Sequence, residues 1–251
     1  MSLDFNALAT KVSHIVMRTT SYFRSPVDIL YVYGGGTAYT DATITAALAA
    51  IGSTMTSIKL APGTWTISNS ITIPANVYID ISTATLSIDS GKTFTLNGLM
   101  DDALNHKFSG SGTVAFGNGS IKKAYPEWWG AVGDGVTDNS AAFVKMLATN
   151  PKHIYCSPGT YLGTLAITNP IKLKGAGKGV CTLKNNSVST ALMTLSGSAH
   201  FCSVSGFILD NNNVPANTLR LTSVTYCDIK QLVIKNHGNE TTSGKFGISL
   251  G

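Results

Sequence analysis

The chain has 251 residues, 43% of them hydrophobic and only 12% charged, about half the charged share of an ordinary globular protein. A surface this poor in charge and rich in Gly, Ser, Thr and Asn speaks against a helical bundle and for flat, strand-rich architecture. The net charge of +5 is a modest surplus of lysines, with no aromatic residues interleaved in a basic run, so neither nucleic acid nor a membrane is an expected partner.

Residues 1–25, which include Lys11, Arg18 and Arg24, hold no signal-peptide pattern, and the chain is expected to fold in a cytoplasm. Within them, Phe5, Leu8, Val12, Ile15 and Val16 define one face of a helix over 3–23, with Asp4 as N-cap and Pro26 as its stop. That helix packs either on its own domain or on another subunit. Two similar segments follow. Ile58-Lys-Leu-Ala-Pro-Gly-Thr-Trp65 and Ile71-Thr-Ile-Pro74 recur 96 residues later as Ile154-Tyr-Cys-Ser-Pro-Gly-Thr-Tyr161 and Ile167-Thr-Asn-Pro170. Each is preceded by a Thr-Asp pair, Thr40-Asp41 and Thr137-Asp138, suited to cap helices over Ala42–Ile51 and Asn139–Leu147. So many shared turn residues at one offset indicate an internal repeat.

Between the two lies Tyr125-Pro-Glu-Trp-Trp-Gly-Ala-Val-Gly-Asp-Gly-Val-Thr-Asp138, read as an extended lead-in, a Gly-Asp-Gly turn and a helix start, with Trp128 and Trp129 packed at a junction. Further on, Phe201–Asn211 aligns without gaps on Tyr226–Asn236, an offset of 25, and Leu192–Leu195, Thr218–Leu221 and Gly247–Leu250 form a second ladder. A coil of about 25 residues holding short strands is one rung of a parallel β-helix. The fold class is therefore mainly β: a right-handed parallel β-helix with short capping helices, preceded by an N-terminal α-helix and a smaller upstream β module. The helix over 139–147, with Ala142, Phe143, Met146 and Leu147 on its apolar side, is placed to cover the flat first rung. The 25-residue period is confined to about 192–250. Domains are expected at 1–25, 26–124 and 125–251, the last reading as the start of a longer β-helix because nothing near Leu250-Gly251 resembles a cap.

The four cysteines (Cys156, Cys181, Cys202, Cys227) match no metal or redox spacing and read as buried thiols, with Cys202 and Cys227 neighbours in an interior ladder. Asn211, Asn212, Asn213 and Asn236 read as corner residues. Lys174-Gly-Ala-Gly-Lys-Gly179 lacks the phosphate-loop spacing and reads as a glycine-rich corner. No calcium site, other metal or cofactor is expected. Glycoside hydrolysis needs two carboxylates about 5–9.5 Å apart. Asp210 aligns with Lys235, Asp228 with Ser203, and Glu240 and His237 follow Asn236 in Asn236-His-Gly238; no acids pair between these rungs. No catalytic residue is assigned.

The run from Tyr125 through Asn139-Ser-Ala-Ala-Phe143, together with Ser157-Pro-Gly-Thr-Tyr161, resembles the leading segment of the pectate-lyase-like β-helix superfamily. Its Pro-Glu-Trp-Trp-Gly-Ala form is similar to bacteriophage tailspike and tail-fibre proteins. The resemblance implies a homotrimeric structural and receptor-binding protein of the virion tail, assembled in the bacterial cytoplasm. It would be attached through its N-terminal part to other tail or baseplate proteins and would recognise host surface polysaccharide along the helix flank. Two alternatives stay open: a polysaccharide depolymerase (glycoside hydrolase or lyase) with its active site beyond this span or at a trimer seam, and a cellular pectate-lyase-like enzyme.

Overall fold

A computed structural model of the chain describes residues 29–32, 39–237 and 247–251. The helix expected over 3–23, and Gly238 and Glu240, lie outside these residues. The chain forms two compact units. The first takes the described residues up to Ala103 with Lys107–Ile121, and the second Leu104–His106 with Lys122–Gly251.

The first unit runs β1 (Ile29–Val32), α1 (Asp41–Ile51), β2 (Thr56–Leu60), β3 (Gly63–Ile67), β4 (Ile71–Ile73), β5 (Val77–Asp80), β6 (Ala84–Ile88), β7 (Thr93–Leu96), β8 (Leu99–Met100), β9 (Phe108–Gly110) and β10 (Thr113–Phe116). Every strand pair is parallel, and each of β2 to β7 pairs with the strand three places on, giving the sheets β1-β2-β5-β8, β3-β6-β9 and β4-β7-β10. This is a three-sided parallel β-solenoid. Ile58 lies against Ile79 and Ile79 against Met100, while Trp65 lies against Leu86 and Leu86 against Phe108, so successive turns are nearly equal in length. Alternation puts Ile58, Leu60, Trp65, Ile67, Leu86 and Phe94 inside with no exposed surface, each burial stabilising by about 1.5–3 kcal/mol. The Trp65 indole N–H would be costly inside, and it donates to the carbonyl of Ala61 at 3.0 Å. Lys107, also fully buried, is held by Asp101 at 2.5 Å.

The second unit repeats this plan. Its elements are a 3₁₀ helix (Pro126–Trp129), β11 (Asp134–Asp138), α2 (Ser140–Ala148), β12 (His153–Cys156), β13 (Gly159–Leu162), β14 (Leu165–Ile167), β15 (Lys172–Gly175), β16 (Cys181–Lys184), β17 (Met193–Ser196), β18 (Ser203–Asp210), β19 (Leu219–Thr222), β20 (Asp228–Lys235) and β21 (Ile248–Leu250). The first face stacks β12, β15 and the leading halves of β18 and β20. The second stacks β13, β16 and the trailing halves of β18 and β20, and the third is β14-β17-β19-β21. β18 and β20 bend from the first face to the second through left-handed residues, Gly206 (φ 79) and Gln231 (φ 53). The turn below passes so close that a Cβ on Gly175 would collide with the Gly206 carbonyl oxygen.

The 96-residue repeat is structural: Ile58 and Ile154 open the first face of their units, Trp65 and Tyr161 the second, and Ile71 and Ile167 the third. The 25-residue register holds as aligned, with Val204 on Ile229 and Leu209 on Ile234. The spacing of 25 belongs to β18 and β20, within 192–250 as read, but the coil itself begins earlier and with other spacings. The coil is already present at β12, where Ile154 lies on Leu173 across a short turn, and Leu173 lies on Val204 across a much longer one. Strand pairing fixes the register while the corners vary in length, so an ungapped comparison finds only the two turns that happen to match.

Covering the first turn is shared between strand and helix rather than left to the helix. In the second unit the open edges are paired by backbone: Ala124 bridges Ile154 on β12, and β11 pairs with β13. Helix α2 packs on β14 and the 3₁₀ helix, burying Ala142, Phe143 and Met146. The first unit does the same, with β1 on β2, Thr40 bridging Thr66, and α1 against β3 and β4. The Thr-Asp pairs act differently from one another. Asp138 accepts from the Ser140 N–H at the start of α2 at 2.9 Å. Asp41 instead turns to the corner after β3, accepting from the Ser68 N–H and hydroxyl and from the Asn69 amide, and Thr40 makes no side-chain cap. The lead-in Pro126–Trp129 is a 3₁₀ helix, not extended. Trp128 and Trp129 are buried, and Glu127 accepts from the Tyr161 hydroxyl at 2.5 Å, joining the 3₁₀ helix to the coil.

Candidate functional site

The first face of the second unit alternates strictly. Ile154, Cys156, Leu173 and Val204 point inward, while His153, Tyr155, Lys172, Lys174, Ser203, Ser205, Asp228 and Lys230 point outward. Register stacks these outward residues in two columns: His153, Lys172, Ser203 and Asp228 in one, and Tyr155, Lys174, Ser205 and Lys230 in the other. Neighbouring turns stand about 4.8 Å apart. Lys123 extends the cationic character, its ammonium lying 5.0 Å and 4.8 Å from the ring centres of Tyr125 and Tyr155. One acid interrupts the face, and Asp228 is held by Lys230 at 2.5 Å. The lysine surplus read from composition is therefore partly concentrated on one sheet face. Alternation in Ile171-Lys172-Leu173-Lys174 carried that signal.

At the edge of this face, one step before the interior residues Ile171, Cys202 and Cys227, stand Pro170, Phe201 and Tyr226. The two rings stack in parallel, 5.0 Å between centres and 5° between planes. The alignment of aromatic on aromatic is thus real, but the rings lie outside the coil, 69% and 79% exposed. Behind them Cys202 is buried and Cys227 half-buried, both as free thiols. Each donates to the carbonyl of an earlier corner, Asn169 at 3.5 Å and Ala199 at 3.3 Å. Cys156 and Cys181 are buried free thiols as well, and the neighbouring Cys181 together with burial pushes the Cys156 thiol up.

The acids considered for catalysis are accounted for in other ways. Asp210 lies in register between Lys184 and Lys235. Burial works to raise its pKa, but the Asn212 N–H, the Asn236 amide and Lys235 at 3.2 Å outweigh it and hold the carboxyl below the usual range. It is an anchored anion with no proton to give. His237 is exposed beyond Asn236, and Glu240 lies outside the described residues. One acid pair that the aligned rungs could not reveal occurs in the first unit. Asp80 and Asp101 directly follow the paired Ile79 and Met100. Their oxygens already accept from Lys59 and Ser82 on one side, and from Lys107, Ala103 and Ile81 on the other, an arrangement suited to holding structure.

The corner asparagines divide by role. Asn212, Asn213 and Asn236 have φ between 52° and 57°, the left-handed geometry expected of them. Asn211 is fully buried, and with Asn185 it forms a ladder between turns, the Asn185 amide donating to Asn211 Oδ1 at 2.8 Å. Asn185 went unnoticed because its offset from Asn211 departs by one from the period of the aligned rungs. Of the segment Lys174–Gly179, read as a corner, Lys174 and Gly175 end β15 and the corner follows them at 176–179. Among the described residues no three His, Cys, Asp or Glu side chains converge for a metal ion.

A family model described as Rhamnogalacturonase A/epimerase, pectate lyase-like, matches residues 128–246. No curated protein and no solved structure matches the chain. A pectate-lyase-like match on a parallel β-solenoid fits polysaccharide binding or depolymerisation.

Proposed function

We propose that this chain is a structural and receptor-binding part of a bacteriophage tailspike or tail fibre, binding host surface polysaccharide along the first face of its second unit. The observation that carries the reading is the pair of outward columns bearing Lys172, Lys174 and Lys230, an extended and regularly spaced polar surface suited to a polymer rather than to a small molecule. In this reading the protein is a homotrimer in the virion tail, joined through residues 1–25 to other tail or baseplate proteins. The similarity of Pro126-Glu-Trp-Trp-Gly-Ala131 to tailspikes supports that assignment. The test is binding of host capsule or lipopolysaccharide by the full chain and by K172A/K174A. The parent is expected to bind and the variant to lose most of the affinity. Equal binding would refute the face as the site.

The second reading, depolymerase activity, is favoured by the same family match. Release of oligosaccharides by the chain would establish it, whereas binding without release favours recognition alone. A monomeric mass in solution would argue against the tailspike and for a cellular enzyme.

A further inference from the structure

We propose that the exposed column of Pro170, Phe201 and Tyr226 is a second contact strip for the polysaccharide, gripping the apolar side of an anionic sugar chain whose carboxylates meet Lys172 and Lys174. This rests on the sheet-face reading above and adds a subsite to it.

The backbone supplies the first argument. Phe201 and Tyr226 both sit at φ 57°, a left-handed conformation that glycine and asparagine adopt easily and bulky side chains rarely do. Elsewhere the described residues fill such positions mostly with asparagine (Asn150, Asn212, Asn213, Asn236) and otherwise with Ser223 and Gln231, and the two rings are the only aromatics among them. Placing an aromatic there twice, on successive turns, costs stability at both positions, and such strain concentrates at sites of function. Their mutual stack offsets part of the cost, but the rings are otherwise largely in water. The exposure of Phe201 is internal to the coil, since Pro170 lies one turn before it and Tyr226 one turn after.

The second argument is rigidity. The corner is tied between turns: His200 Nδ1 accepts from the Thr225 N–H at 3.1 Å, and the Phe201 N–H donates to the Thr225 carbonyl at 3.0 Å. The rings are thus presented in a fixed stack, which lowers the entropy lost on binding. Charge complementarity selects the occupant. The adjoining outward positions carry Lys172 and Lys174, while Lys230 and Asp228 form an ion pair with each other. An occupant with both apolar faces and regularly spaced negative charge fits this edge, and an acidic polysaccharide has both.

The test compares the full-length parent, F201N/Y226N and K172A/K174A for binding to polygalacturonate, with dextran as the neutral control, and records the Tm of each. The asparagine variant relieves the backbone, so its Tm should equal or exceed that of the parent. Its affinity for polygalacturonate should fall about tenfold, the change that loss of roughly 1.4 kcal/mol produces. Dextran should bind weakly to all three. Unchanged affinity in F201N/Y226N, with affinity lost in K172A/K174A, would overturn the aromatic strip and leave the sheet face intact. No loss in either variant would remove both readings. A lower Tm for F201N/Y226N would show that the rings serve the fold, and would overturn the strain argument. F201L/Y226L then supplies a direct binding readout, since loss of affinity with apolar bulk retained would require the rings themselves.

Discussion

Replacing Asn211 by alanine tests whether buried amides, rather than apolar packing alone, hold the turns of the second unit together. Asn211 Oδ1 accepts from Asn185 at 2.8 Å, and its Nδ2 donates to the carbonyls of Val214 at 3.0 Å and Ala216 at 2.7 Å. Asn185 keeps a second acceptor, Thr190, at 3.2 Å, and the Val214 carbonyl keeps the Ala216 N–H at 2.8 Å. The Ala216 carbonyl loses its side-chain donor. Three hydrogen bonds at about 1 kcal/mol each, plus the desolvation of a poorly paired buried carbonyl, put N211A at about 3–4 kcal/mol of lost stability. That is a large part of the ~5–15 kcal/mol a domain has. Urea unfolding should show a lower midpoint at an unchanged slope. N185A and the double variant close a cycle in which the coupling should be about 1 kcal/mol. A loss below about 1 kcal/mol for N211A, or additivity within about 0.5 kcal/mol, would refute the ladder as a source of stability.

Other expectations follow from the same geometry. Asp101→Ala removes a carboxylate that holds the buried Lys107 ammonium and accepts from the Ile81 and Ala103 N–H groups, and should cost about 3–5 kcal/mol in denaturant unfolding; a loss under about 1 kcal/mol would refute that role. The Asp134 carboxyl is held down to about 2 by the Thr137 hydroxyl first, then by the Thr137 and Val136 N–H groups. Its contribution to stability is present above the ordinary 3.8 and fades as pH falls through about 2. Thr137→Val should move its NMR titration midpoint up toward 3.8, and an unmoved midpoint would sink that account. Gly175→Ala drives a Cβ into the Gly206 carbonyl oxygen and should lower stability by about 1–3 kcal/mol or more. In native protein an alkylating reagent should reach Cys227 first, since the other three thiols are buried, and mass spectrometry of the labelled peptides reads the order directly.

The sequence carried the fold further than the site. Wherever two turns have equal length, as from Phe201 to Asn236, interior residues align by eye, and the Pro-Gly punctuation at 62–63 and 158–159 located the start of each unit. The strands covering the first turns were not legible. β1 and Ala124 act through backbone hydrogen bonds, to which side-chain pattern is blind. The lysine face was legible only in part: alternation points Lys172 and Lys174 outward, but Lys230, two turns on with Ser205 between, joins their face only once Leu173 is known to lie on Val204, and no constant period gives that register. For Phe201 and Tyr226 the alignment gave the column but not the side of the coil on which the rings lie, which is the outside. Each directly precedes a cysteine on the inner side, and each has a left-handed backbone.

The unequal turns, a short one from Ile154 to Leu173 and a far longer one from there to Val204, divide the molecule into parts that vary under different rules. Strand positions answer to their neighbours above and below, so a change there must be matched on other turns. Corner residues answer mainly to solvent, and lengthening a loop costs only slowly in closure entropy. New surface can therefore be grafted beside an unchanged stack of strands, as new teeth are cut on a fixed key blank, and a lineage built this way can change what it grips without rebuilding what holds it up.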